Sequence, residues 1–221
     1  MTTEQRREAA SKSTGKTDKW DRKLAKARAI EDAEMKVHAL HDIARALAKA
    51  GQYDRAVAVA DSIEVAESKA HALRDLAVRL AWAGQYDRAI RVAASIEDAG
   101  LKADALRRIA RALAKAGQYD CAIKVAESIE VVYQKAGALW DIAVELAFAE
   151  HFDRALAVAD SIEVTESKAF ALHDIAVALA AAGHFDRARE VAESIEVTSW
   201  MADMKADALG DIAEIRQEQE G

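Results

Sequence analysis

The chain has 221 residues, a formal charge of −7, no proline and only 5% aromatic residues. Average usage of about 5% would place roughly eleven prolines in such a length, so their absence favours long uninterrupted helices, and the scarcity of aromatic residues argues against a β-sandwich. The acidic balance speaks against a general nucleic-acid binder, which has to neutralise phosphates.

From the N-terminus, residues 1–19 mix both charges with Ser, Thr and Gly and carry no apolar run. A disordered polar tail is expected there, without the h-region of a secretory signal. No later stretch approaches the ~18 to 20 apolar residues of a membrane span. Cys121 is the only cysteine, so an intrachain disulfide is impossible. The expected location is the cytoplasm.

From residue 20 onward a period of 33 governs the chain. Aspartate recurs at Asp21, Asp54, Asp87, Asp120, Asp153 and Asp186, each preceded by an aromatic residue: Trp20, Tyr53, Tyr86, Tyr119, Phe152 and Phe185. Glycine marks Gly51, Gly84, Gly117 and Gly183, and isoleucine marks Ile30, Ile63, Ile96, Ile129, Ile162 and Ile195. Such a period is the signature of a repeat architecture. In residues 70–102, Ala72, Leu73, Leu76, Ala77, Leu80 and Ala83 lie on one helical face. Gly84 supplies a left-handed stop. Asp87 is expected to N-cap a second helix, whose apolar stripe is Ala89, Val92, Ala93 and Ile96. The turns are short, so successive helices must be antiparallel.

In chain order this gives a lone second-type helix at about 20–31, five full pairs, and a final first-type helix at about 205–216. That makes about twelve helices, a single all-α solenoid domain over 20–216, and a C-terminal tail at 217–221. Between Lys168 and Lys205 the register slips by four residues. The insertion brings Trp200, Met201 and Met204, which are expected to cover the end of the stack.

The phrase Ala-Gly-Gln-Tyr-Asp-Arg-Ala, at 50–56 and 83–89, resembles the Gly-x-Tyr-x-x-Ala corner of the tetratricopeptide repeat. The resemblance covers about residues 20–216 and implies a right-handed α-α superhelix whose first helices line a concave groove that holds peptides or protein termini. The chain departs from that family in three ways. Its period is 33 against a usual 34, it has no proline after the second helix, and Ala44, Ala77 and Ala110 stand where the family's first helix usually has glycine.

The groove stripe falls at i, i+3, i+7 and i+11 of each first helix. It reads His38, His41, Arg45, Lys49; then His71, Arg74, Val78, Trp82; then Asp104, Arg107, Arg111, Lys115. The last two units give Gly137, Trp140, Val144, Phe148 and Phe170, His173, Val177, Ala181. The stripe is basic first and aromatic later, which points to a protein or peptide partner that is acidic or carboxylate-bearing and brings an apolar anchor. The candidate partner-binding residues are His41, Arg45, Arg74, Trp82, Arg107, Arg111, Trp140, Phe148, Phe170 and His173. The bland alternative makes the cations solvated surface and the aromatic residues gap fillers beside alanine. Self-assembly through stack ends or acidic turns is a second functional alternative, and a ligand-binding or catalytic solenoid a third.

No catalytic residues, cofactor or metal are expected, and neither nucleic acid nor membrane is an expected partner. His38 and His41 share a helix face, but no His-x-x-x-His, Cys-x-x-Cys or Glu-x-x-His pair supports a metal site. Asp42, Asp75, Asp141, Asp174 and Asp211 repeat at one position and read as scaffold. The third unit has Arg108 there, and Cys121 where other units have Arg55, Arg88, Arg154 and Arg187. That coincidence would follow if the two positions interacted, although their axial offset disfavours contact. Glu150 stands at the corner where other units have glycine, so it is expected in a left-handed conformation.

Overall fold

The computed structural model describes residues 19–196 and 202–220. The expectations for residues 1–18, Trp200 and Met201 lie outside the described residues, while Met204 is half-buried. The described chain is entirely helical: α1 (residues 19–28), then α2 (Ala33–Lys49), α3 (Tyr53–Asp61), α4 (Ala66–Trp82), α5 (Tyr86–Ala94), α6 (Ala99–Lys115) and α7 (Tyr119–Glu127). It continues with α8 (Val132–Phe148), α9 (Phe152–Asp160), α10 (Thr165–Ala181), α11 (Phe185–Glu193) and α12 (Ala202–Glu220). Helices α2 to α11 form the expected five antiparallel pairs, each a first-type helix of 17 residues followed by a second-type helix of 9, with α1 and the 19-residue α12 as the lone helices at the two ends.

The sequence sets each boundary locally. Asp32 caps α2 by accepting the Met35 N–H at 2.8 Å, and Asp98 accepts the Leu101 N–H at 2.7 Å at the start of α6. Each first-type helix of the five pairs begins about four residues before its apolar stripe, and in α2, α4 and α10 that first turn carries a glutamate. At the corner after α4, the Gly84 N–H donates to the Ala81 carbonyl and the Gln85 N–H to the Leu80 carbonyl. This is the paired C-terminal closure that needs one left-handed residue, and Gly84 sits at φ +72. Glu150 adopts φ +60 at the equivalent corner after α8, with the same bonds: Glu150 N–H to Ala147 and His151 N–H to Leu146.

The aspartates after the aromatic residues are not N-caps. Gln52, Gln85, Gln118, His151 and His184 occupy the cap position and make no side-chain cap bond. The aspartate lies in the first helical turn, where the helix dipole favours negative charge, and reaches the arginine one repeat later. Asp21 accepts from Arg55, Asp54 from Arg88 at 3.4 Å, Asp120 from Arg154, and Asp153 from Arg187. The recurring arginine therefore pairs with this aspartate and not with the one on the first helix. Exposed pairs of this kind contribute ~0 to 1 kcal/mol each, so they tune register between repeats more than they hold the fold.

The core holds the fold. Ala56, Ala60, Ala89, Ala93, Ala122, Ala126, Ala155, Ala159, Ala188 and Ala192 are fully buried on the second-type helices, where only a methyl group fits between close backbones. Leu47, Leu80, Leu113, Leu146 and Leu179 fill the matching positions on the first-type helices, each worth roughly 2 kcal/mol of apolar burial. No charged or polar residue is buried among the described residues. The second-type helices α3, α5, α7, α9 and α11 end on a serine whose hydroxyl donates to the carbonyl three residues back, as Ser128 does to Val125 at 2.7 Å. The next residue, the recurring isoleucine, then drops into the core.

The chain divides into two compact units, Met1–Leu101 and Lys102–Gly221, with the division inside α6. In the first unit α2 packs on α3 and α4, and α4 packs on α3 and α5. In the second, α8 packs on α7, α9 and α10, while α10 packs on α9, α11 and α12. Within each unit a first-type helix thus touches the second-type helices on either side of it and a neighbouring first-type helix. No described helix is long and apolar enough to cross a membrane.

Candidate interaction face

Side chains on the first-type helices that point away from the second-type helices form the candidate face. In the first unit His41 lies half-buried on α2, with Nε2 at 3.4 Å from the Asp75 carboxylate of α4, within ion-pair reach but not aligned as a hydrogen bond. Arg45 is exposed, with Nη2 at 3.5 Å from His41 Nδ1 and 3.7 Å from Asp42. Arg74 donates to Asp75 on its own helix through Nε at 3.1 Å and Nη2 at 2.6 Å. Trp82, the last residue of α4, is 72% exposed.

The second unit repeats the relation between neighbouring first-type helices. Arg107 Nε donates to Asp141 at 3.1 Å, and Trp140 Nε1 donates to Asp174 at 2.8 Å. His173 Nε2 stands 3.4 Å from Asp211. In each case a side chain on one first-type helix meets the recurring aspartate of the next, 34 residues on for Arg107 and Trp140 and, past the four-residue insertion, 38 on for His173. His41 and Asp75 obey the first of these spacings. The recurring aspartates are therefore acceptors that tie first-type helices together, and His41, Arg107, Trp140 and His173 are tied into the scaffold by their polar atoms. Gly137 belongs to this arrangement. A Cβ there would fall 2.7 Å from Arg107 Cζ, so the missing side chain leaves room for the guanidinium. Trp140 also stacks on Phe170 of α10, with ring centroids at 5.2 Å and planes at 20°.

Two carboxylates flank His173: Asp174 on its own helix, 3.4 Å from Nδ1, and Asp211 on α12. The hydrogen bond to Asp174 raises the imidazole above its ordinary value. Partial burial opposes this, and the charges of Asp174, Asp211 and Asp207 add to it.

Arg111, Phe148 and Trp82 are the most exposed of the ten candidates. Arg111 is 55% exposed, 3.9 Å from Asp141. Phe148, the last residue of α8, is 74% exposed, and Trp82 occupies the corresponding place on α4. Beside Phe148 a hollow of about 450 Å³ opens between α8, α10 and α12. Val144, Ala147, Val177, Ala178 and Ala181 form its apolar floor, and Glu150, His173, Asp174 and Asp211 its polar edge. Periodicity alone places Val177 and Ala181 on the stripe, whereas Asp211 enters only because α12 folds back against α10. Among the described residues no three His, Cys, Asp or Glu side chains converge as metal ligands.

No family profile matches the chain, and no curated protein matches it. Among solved structures, the nearly identical TPR-like repeats assigned to a kinesin light chain of Podosopora anserina align over 86% of this chain and 99% of theirs, with 14% identity and a TM-score of 0.42. Ton1535 of Thermococcus onnurineus NA1 aligns over 89% of this chain and 84% of its own, with 18% identity and a TM-score of 0.29.

Proposed function

We propose that this helix-pair repeat protein is a non-catalytic, cytoplasmic protein-interaction scaffold, and that the exposed face of its first-type helices holds a peptide, a tail or a small domain of a partner. One observation carries the reading. Phe148 remains 74% exposed beside an apolar hollow, in a protein whose core elsewhere is closed by alanine and leucine. A concave, mostly apolar hollow with a few polar groups at its edge has the makeup of a binding site, and Phe148 stands at its mouth. Trp82 offers a similar anchor in the first unit. An acidic partner segment is supported by Arg45, Lys49, Arg111 and Lys115, the stripe Lys and Arg side chains that remain exposed. Arg74 and Arg107 support it less, because each already holds an aspartate.

A paired pull-down tests this reading. The baits are the intact chain, a Trp82→Ser/Phe148→Ser variant and a Tyr133→Ser control; Tyr133 is 76% exposed at the start of α8. A protein held by the intact chain and the control but lost from the double variant is the expected result. Loss with Tyr133→Ser alone would move the site to the inter-repeat turns. That second reading has its own support, since Val132 and Tyr133 are adjacent and both exposed. Copies would then associate through those turns, and sedimentation would show a mass that depends on concentration and on Tyr133.

A further inference from the structure

The hollow beside Phe148 differs in charge from the basic part of the stripe. Three carboxylates edge it, Glu150, Asp174 and Asp211, and the only other ionisable group lining it is His173. No lysine or arginine lines it. Asp174 is already engaged by Trp140 and His173. Glu150 is exposed, and the Asp211 side chain is 48% exposed, so both can meet an incoming cation. All three carboxylates edge a single hollow, where their potentials add over a screening length of about 8 to 10 Å. The floor beneath them is apolar: Val144, Phe148, Val177, Ala178 and Ala181.

The wall contributed by α12 is fixed without any partner. His173 meets Asp211 near its middle, and Gln219 donates to the Ala181 carbonyl at 3.1 Å near its end. The hollow is preformed, and its volume of about 450 Å³ lies in the range of small binding sites, roughly 300 to 1,000 Å³.

Resting on the scaffold reading above, we infer that this hollow takes a basic-apolar peptide segment. One aliphatic or aromatic side chain inserts against Phe148 and Val177, and a flanking lysine or arginine pairs with Glu150 and Asp211. An acidic segment would bring its charge against three carboxylates with no cation to receive it, which costs binding through like-charge juxtaposition. The hollow therefore selects for a positive charge next to the anchor.

The test is selection of a random-peptide phage library on the full chain, with and without counter-selection on Phe148→Ser, followed by titration of one retained synthetic peptide. The expected result is enrichment of Lys or Arg beside Leu, Ile, Met or Phe, with those sequences surviving the counter-selection because they do not bind Phe148→Ser. The titrated peptide should bind Glu150→Gln/Asp211→Asn about fivefold more weakly, from two partly exposed ion pairs, with a flatter salt dependence. Circular dichroism of both variants, expected to match the intact chain, separates lost binding from lost folding. Retained peptides that depend on Phe148 but are acidic or uncharged would overturn the inference and leave the scaffold reading standing. Retention of no peptides, or of peptides indifferent to Phe148→Ser, would overturn both.

Discussion

Glu150 offers the sharpest test of how this repeat is built. Four corners place glycine at φ between +72 and +81, and the fifth places Glu150 at φ +60 with the same closing hydrogen bonds. A side chain in the left-handed region costs roughly 1 to 2 kcal/mol, whereas glycine adopts it freely but loses more chain entropy on folding, about 0.5 to 1 kcal/mol. The net expectation for Glu150→Gly is a gain of about 0.5 to 1 kcal/mol, or about 1 to 4 °C in melting temperature for a chain of this size. Glu150 also places a negative charge at the C-terminal end of α8, where the helix dipole opposes it by about 0.3 kcal/mol at an exposed site. Glu150→Ala isolates that part, because it removes the charge and keeps the strain. Calorimetry should therefore rank glycine above alanine, and alanine level with or slightly above the parent. If alanine stabilises as much as glycine, charge rather than backbone conformation governs the corner, and the reasoning fails. The reverse exchange at Gly117 completes the test. A Cβ there meets nothing within 4 Å, so Gly117→Ala carries only the backbone penalty and should destabilise by about 1 kcal/mol.

Other predictions follow from the ties between first-type helices. Trp140→Phe keeps the stack on Phe170 but removes the donor to Asp174; it should lower stability by about 1 kcal/mol in urea unfolding, while Phe148→Ser, at an exposed position, should change it by less than about 0.5 kcal/mol. A binding loss in the first variant would thus be confounded with scaffold damage, and one in the second would not. The raised His173 imidazole makes the docking of α12 depend on pH. A group whose folded value lies above its ordinary 6.5 contributes stability that is complete below that value and is lost as pH rises through the folded value. The melting temperature should therefore fall on going from mildly acidic to mildly alkaline buffer, and His173→Gln should remove that part of the slope. An unchanged slope in the variant would exclude His173 as its source.

Much of this architecture is legible in the sequence because each repeat solves the same local problem with the same residues. The period of 33, the glycine corners, the helix types, their number and the left-handed state of Glu150 all follow from residues close together in the chain. Helix caps were misread where two uses of aspartate compete. Asp87 has the right chemistry for a cap, yet it is the second residue of α5, in its first turn, with Gln85 at the cap, and its counterparts Asp21 and Asp54 take arginines from the following repeat. Periodicity places a side chain on a face, but it cannot say whether that side chain is free there. Arg107 and Arg111 share a stripe and a chemistry, and only packing against α8 puts Arg107 onto Asp141 and leaves Arg111 mostly in water. The same holds for Trp140 and Phe148, one bonded and stacked, the other exposed. The sequence by itself determined the helices and the faces they present, since those depend on near neighbours and on a 3.6-residue period. Only the tertiary structure decided which groups on that face are already satisfied, because their partners lie 34 residues away and across a helix-to-helix contact whose offset no single repeat contains.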